Sequence, residues 1–371
     1  MKLEKLYQLS QEERINLLKE INGFDPNLNV VDENLFEHLI ENYVTTFEVP
    51  VGIVPNVLVN DKLYHVPVAT EEPSVIAGCS KANKIIAKSG GFKTKVLSKM
   101  MMGQIVFSDV KDFDELKAAI PKLSPEMVKI GAECNPTLHQ LGGGVKKFGL
   151  ATFAHNFACL YIMIDVVDAM GANSVNTILE AIAKLLEEKL NLEVLMAILS
   201  NNADCLVEVT CQINPQDLKS PLLAEKVAKA SYYATLDPNR AVTHNKGIMN
   251  TVSGIALATG NDTRGLEAAA HSFASHRGSY QPLSSWTIDD NGILEGKLLM
   301  PIVVGTVGGA IGVLPKAQFA LKMLNLTDAK ELMMIMGACG LASNFAALYA
   351  LVDEGIQKGH MKLHNRSKNI V

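Results

Sequence analysis

Lys246 and Asp262 stand in the settings most suited to chemistry. Lys246 lies in Thr243-His244-Asn245-Lys246-Gly247, after Asp237-Pro238-Asn239-Arg240 and before Asn250. Asp262 lies in Gly260-Asn261-Asp262-Thr263-Arg264. The two charges could form a buried pair, although solvated surface charges are the default reading. Glu71-Glu72-Pro73-Ser74 follows a strand pattern and opens a helix pattern. These acids suit a helix dipole, and one of them, if buried, would have a raised pKa and act as an acid. Asp168-Ala169-Met170-Gly171-Ala172-Asn173 joins an apolar strand to a helix. A small-residue turn there exposes backbone N–H groups to a phosphate or nucleotide. The plainer reading is a tight turn with Asn173 as N-cap. Gly305-Thr306-Val307-Gly308-Gly309-Ala310 permits close backbone approach, either to a ligand or to a packed helix. His360 and His364 would share a helix face, as a metal pair does, but no third ligand accompanies them and no metal is expected. The chain contains no G-x-G-x-x-G after a strand, no G-x-x-x-x-G-K-[ST], no H-E-x-x-H and no G-x-S-x-G.

The elements that must position these residues follow from periodicity. Residues 10–45 read as short helices, with Ser10 and Glu13 as a capping box. Residues 49–68 alternate as a hairpin around Asn60-Asp61, and 73–88 form a helix opening at Pro73. Then come a strand at 103–107, an amphipathic stretch at 112–134 expected to break into two helices near Pro121 or Pro125, strands at 145–154 and 158–167, a helix at 173–190 and a strand at 193–200. This β-α-β-β-α-β order is a ferredoxin-like unit. Helices follow at 222–235, 262–276, 315–325 and 328–357, with a small-residue segment at 248–258 and strands within 284–304 turning at 289–292. The fold class is α+β. A helix-rich domain, made of 1–99 and 201–358, accepts an insertion at 100–200.

Composition narrows the function. The formal charge is −5 without a Lys/Arg block, which argues against nucleic acid. The six cysteines are scattered without a C-x-x-C, and the charged start MKLEKLYQLSQEER lacks a signal peptide's apolar stretch, so a reduced, cytoplasmic protein is expected. Residues 332–352 carry no charge and are long enough to span a bilayer. A helix buried on all sides of a large core is the favoured reading, and no membrane is expected.

Taken together, VPVATEEPSVIA, MMGQIVF, DAMGANSVNTILEAI, DPNRAVTHNKGIMN, ATGNDTRGLEAAAHSFAS, VVGTVGGA and GIQKGHMKLH stand in an order that resembles the class II (bacterial-type) 3-hydroxy-3-methylglutaryl-coenzyme A (HMG-CoA) reductases across residues 5–371. The resemblance implies reduction of HMG-CoA to mevalonate and CoA with two hydrides from NAD(P)H. It implies that Lys246 stabilises the oxyanion, Glu72 protonates the oxygen, Asp262 tunes both, and His360 protonates the departing CoA thiolate, with His364 as fallback. It implies that Ser74 and Arg240 hold the HMG portion and that Asn250 hydrogen-bonds near the reacting carbonyl. Asp168, Met170, Gly171 and Asn173 would form the cofactor turn, with Val307, Gly308 and Gly309 near the nicotinamide. The implied architecture is a large domain around a long central helix, an inserted ferredoxin-like cofactor domain, and an obligate homodimer or a higher oligomer built on it.

Three departures from the family pattern stand out. Its E-N-V-x-G motif reads Glu41-Asn42-Tyr43-Val44-Thr45, without the glycine. The position where NADH-preferring members carry an Asp, ahead of Gly142-Gly143-Gly144, is Asn135. Asn does not repel a 2′-phosphate, and Lys146 and Lys147 add positive charge, so NADPH is favoured with NADH as a second possibility. Residues 359–371 would begin the family's C-terminal flap, the rest of which is expected to be missing from this chain. Two alternatives are a different acyl-CoA thioester reductase and a CoA- or nucleotide-binding pseudoenzyme.

Overall fold

A helix with apolar residues on every side has no face to give to water and must be surrounded by protein or lipid. The helix Ala329–Val352 is of this kind, and 72% of its most apolar window is buried by the rest of the protein. Its start is fixed locally: Asp328 accepts from the Glu331 N–H at 2.8 Å, and Glu331 accepts from the Thr327 N–H at 2.6 Å. Lys62 at 2.6 Å and the Tyr64 hydroxyl also bind Glu331.

A computed structural model describes residues 3–22, 33–353 and 355. It opens with α1 (Gln11–Asn22) and α2 (Glu33–Leu39). The Ser10–Glu13 capping box is present: the Ser10 N–H donates to Glu13 at 2.6 Å and the Glu13 N–H to Ser10 Oγ at 3.2 Å. Next come β1 (Val51–Val59), β2 (Lys62–Ala69), α3 (Pro73–Ile86) and β3 (Phe92–Val96). The hairpin turns at Asn60 and Asp61, both with positive φ (47° and 68°), as a two-residue type I′ turn requires.

The insertion follows as β4 (Met100–Phe107), α4 (Phe113–Cys134), α5 (Pro136–Gln140), β5 (Gly144–Thr152), β6 (Ala158–Asp165), α6 (Ala172–Leu190) and β7 (Val194–Asp204). The chain then continues through β8 (Leu206–Ile213), α7 (Leu222–Leu236), α8 (Pro238–Ala258), α9 (Thr263–Ser275), β9 (Ser284–Ile288), β10 (Leu294–Pro301), α10 (Pro315–Leu324) and α11, the Ala329–Val352 helix.

Two compact units result: Leu97–Leu206, and Met1–Val96 with Val207–Val371. In the larger unit a six-stranded sheet runs β2-β1-β3-β8-β10-β9, and α11 packs against α3, α7, α8 and strands of this sheet. In the smaller unit the sheet order is β5-β6-β4-β7 with every pair antiparallel, the ferredoxin-like arrangement. Helices α4 and α6 pack on each other and on this sheet.

Two expectations need correction. Residues 113–134 form one helix, with Pro121 and Pro125 inside it. Each proline removes a hydrogen bond, but Ser124 Oγ donates at 2.9 Å to the Pro121 carbonyl that Pro125 cannot serve. Burial of Leu116, Ile120, Met127 and Gly131 then holds the helix across both prolines. The last helix ends at Val352 rather than at 357.

Candidate active site

Helix α8 carries the THNKG residues, and its start is set by sequence. Asp237 caps it, accepting from the Asn239 N–H at 2.9 Å, and Pro238 takes the first helical position. One face turns inward. Asn245 is fully buried, donating to the Gln281 carbonyl at 2.9 Å and accepting from the Leu283 N–H at 2.8 Å. His244 is also buried, with Nε2 2.7 Å from Ser284 Oγ, and its carbonyl accepts from Asn344 Nδ2 at 3.2 Å. Gly254 lets α8 lie against β2, because a Cβ there would stand 2.9 Å from the Ala69 carbonyl oxygen and 2.7 Å from Val68 Cγ1.

The opposite stripe, at helical spacing, holds Thr243 and Lys246, both exposed, and Asn250 and Ser253, both half-buried; Arg240, also half-buried, stands a turn before Thr243. Burial lowers the Arg240 pKa from its ordinary value. Among the described residues Lys246 forms no ion pair. The Asp262 carboxylate instead meets Arg264 at 3.1 Å, so these charges follow the solvated reading.

Burial pushes the His244 pKa down from 6.5 to about 4, with the nearby Arg240 charge adding to the effect. Its Nδ1 lies buried without a hydrogen-bond partner among the described residues. A base with a depressed folded pKa is neutral in the fold and takes up a proton on unfolding. Its stabilisation is therefore present above about pH 6.5 and is lost as pH falls towards about 4. Urea unfolding across this window should show stability falling with pH. His244→Gln should flatten that slope, and an unchanged slope in the variant would assign the loss to other groups.

Glu72 caps α3. Its Oε1 accepts from Ser74 Oγ at 2.9 Å, and its own N–H donates to Thr70 Oγ1 at 3.1 Å. Glu72 and Ser74 are half-buried while Glu71 is exposed. Asp262 caps α9, accepting from the Arg264 N–H at 2.9 Å and the Gly265 N–H at 3.3 Å. Beside it, the buried Asn261 makes two bonds to Gly305: Oδ1 accepts from its N–H at 2.8 Å, and Nδ2 donates to its carbonyl at 3.1 Å. This staple ties the Asp262 turn to the loop carrying Val307, Gly308 and Gly309, all three exposed. Sequence reading missed Asn261, His244 and Asn245 as positioning groups. Their only signal was a polar residue flanking a candidate.

The smaller unit gathers a second set. Gly144 pairs with Asp165, so the Gly142–Gly144 run lies beside the turn that leads into α6. Asn135 caps α5, its Oδ1 accepting from the Leu138 N–H at 3.0 Å. Lys146 Nζ donates to the Gly142 carbonyl at 2.7 Å. The cap of α6 is Gly171, at φ 89°, and not Asn173, which is exposed in the first helical turn. Only glycine takes this φ readily, and it places the cap two residues earlier than an Asn173 cap would. Asp168 and Met170 are half-buried within the turn. The larger unit thus holds Glu72, Ser74, Arg240, Lys246, Asn250, Asp262 and Val307–Gly309, and the smaller holds Asn135, Asp168, Met170, Gly171 and Asn173. His360 and His364 lie outside the described residues.

Comparison with known proteins identifies the family. The family model for hydroxymethylglutaryl-coenzyme A reductase matches residues 10–365. The 3-hydroxy-3-methylglutaryl-coenzyme A reductase of Archaeoglobus fulgidus is 39% identical over 98% of this chain and 86% of its own length. A solved structure of the Streptococcus pneumoniae reductase superposes with a TM-score of 0.92 at 40% identity, covering 99% of this chain and 91% of that one. A second, described as the class II enzyme bound to NADPH in open conformations, gives 0.91 at 39% identity, covering 95% of this chain and 100% of that one. With its fold and nearly its whole length matched by these enzymes, the chain belongs to the hydroxymethylglutaryl-coenzyme A reductase family.

Proposed function

We propose that the chain is a class II reductase that converts HMG-CoA to mevalonate and free CoA in the route to isoprenoids. The observation that carries the reading is the exposed Lys246, held on a helix whose next face is locked by His244 and Asn245. A cation carried on a helix that is held from behind, and open in front, is placed to meet a developing oxyanion. NADPH, when bound, supplies the hydride for each reduction. Within the smaller unit, the residues that would hold its phosphates fit that role: a glycine-capped turn at the N-terminus of α6.

In this scheme the residues of the chain divide the work. Lys246 stabilises the oxyanion formed from the thioester carbonyl and later polarises the aldehyde. Glu72 delivers the proton to that oxygen, held in place by Ser74. Asp262 supports both groups during the reaction. Arg240 and Ser74 bind the HMG portion, Arg240 pairing with its free carboxylate. Asn250 hydrogen-bonds near the reacting carbonyl. His360 protonates the leaving thiolate. The Leu97–Leu206 unit is the cofactor domain and the larger unit the substrate domain. Asn135 in place of an Asp supports NADPH over NADH. Exposed Val242 and Leu257 on α8, with Tyr232, Tyr233 and Leu236 on α7, support assembly as a homodimer.

The test follows loss of reduced-nicotinamide absorbance with HMG-CoA, in parallel with NADPH and NADH, while thiol and mevalonate are quantified. Two cofactors oxidised per CoA released, faster with NADPH, is the expected result. One cofactor per CoA, with an aldehyde product, would favour a different thioester reductase. Ligand binding without turnover would favour the pseudoenzyme.

A further inference from the structure

Lys99 sits immediately before β4 and is 7% exposed, unusual for an ammonium. A buried charge is costly unless it is given partners. Here Nζ donates at 3.0 Å to the Ala169 carbonyl, in the middle of the Asp168–Gly171 turn. Asp165 and Asp204 lie with Lys99 among the charges around the buried Cys205 thiol.

That turn is strained and needs holding. Val167 adopts φ 52°, a left-handed conformation that a β-branched residue rarely takes, and Gly171 follows at φ 89°. Local bonds fix its first half: the Val167 N–H donates to Asp165 Oδ1 at 2.9 Å, and the Ala169 N–H to the Val166 carbonyl at 3.1 Å. The second half leads into α6, and Lys99 holds it through the Ala169 carbonyl. In a trans peptide the C=O and the next N–H point in opposite directions, and no peptide bond among the described residues is cis. Drawing the Ala169 oxygen towards the buried ammonium therefore turns the Met170 N–H away from it. The positive charge also adds to that of the α6 N-terminus.

We propose that Lys99 is a positioning residue for NADPH, setting the peptide plane and the electrostatic bias of the turn that receives the cofactor's phosphates. The proposal rests on the cofactor reading of that turn.

The experiment measures NADPH affinity by fluorescence of the bound reduced nicotinamide, and KM for NADPH and HMG-CoA separately, on the full chain. Lys99→Met should weaken NADPH binding by about tenfold or more, the scale of one charge-assisted hydrogen bond. KM for HMG-CoA should stay within about twofold, since a local loss at one ligand's turn leaves the other's contacts in place. Lys99→Gln keeps an N–H donor without the charge and should fall between the two, and it serves should the Met variant not fold. Gly171→Ala is the control for the turn itself: a Cβ there would stand 2.4 Å from Val166 Cγ1 at a left-handed φ. Impaired NADPH binding by Gly171→Ala with normal binding by a folded Lys99 variant would overturn the role of Lys99 alone. Normal binding by Gly171→Ala would overturn the cofactor reading of the turn, and the proposal with it. Equal rises in both KM values would show a general structural defect and overturn the proposal too.

Discussion

Lys246→Ala should lower kcat/KM for HMG-CoA reduction by roughly 10²–10³ or more, the usual loss when a preorganised charge facing an oxyanion is removed. Folding should be unaffected, because the side chain is exposed and forms no ion pair among the described residues. The structural work of this segment belongs to its neighbours His244, Asn245 and Gly254. Lys246→Met is the cleaner variant, since it keeps the aliphatic stem and deletes only the charge. Both the thioester and the aldehyde reductions should slow, because both pass through an oxyanion at the same carbon. Single-turnover assays on each substrate, with circular dichroism to confirm the fold, provide the check. Retention of activity within about tenfold would remove Lys246 from the mechanism, since a preorganised charge contributes more than that.

Trp286→Ala should produce the largest loss of stability, about 4 kcal/mol from truncation of a fully buried aromatic side chain. Trp286 is 1% exposed, and its ring lies 5.0 Å from that of Phe345 on α11. Its Nε1 also donates to Asn344 Oδ1 at 2.9 Å, so truncation leaves a buried acceptor unpaired, at a further cost of about 1–3 kcal/mol. The sum approaches the whole stability of many domains. Trp286→Phe keeps most of the ring packing and should lose about 1–3 kcal/mol, chiefly from the unpaired Asn344 acceptor. Urea titrations followed by circular dichroism would measure both, and a loss below about 1 kcal/mol for the alanine variant would contradict the packing assigned to this ring. The effect should reach the site, because Asn344 also donates to the His244 carbonyl on α8. Residual folded Trp286→Ala should therefore turn over more slowly than the wild type.

Much of the architecture was legible because it rests on local rules. The Ser10–Glu13 box, the Asn60-Asp61 turn, the Asp237 cap with Pro238, and the strand and helix periods of the inserted unit each involve residues close in sequence. The break expected at Pro121 or Pro125 failed for the opposite reason. Proline's local penalty was real, but burial against α6 and β5, elements distant in sequence, outweighed it. The cap of α6 was misplaced because Asn is the better cap by type, whereas the turn leaving β6 demands a left-handed residue at Gly171.

By itself, the sequence determined most of the helices, the ferredoxin-like insertion and the motif set, since hydrophobic period, caps and turn chemistry act within a few residues, but it did not show β3 or β8, the strands at the middle of the larger sheet. Only the tertiary structure decided which polar groups were to be buried and what would satisfy them. Asn261 is matched to Gly305, His244 to Ser284, Asn344 to Trp286 and Lys99 to Ala169, each across a long stretch of chain. Burying a polar atom costs free energy unless a partner arrives with the right geometry. That partner is supplied by whichever element packs there, which no local pattern encodes.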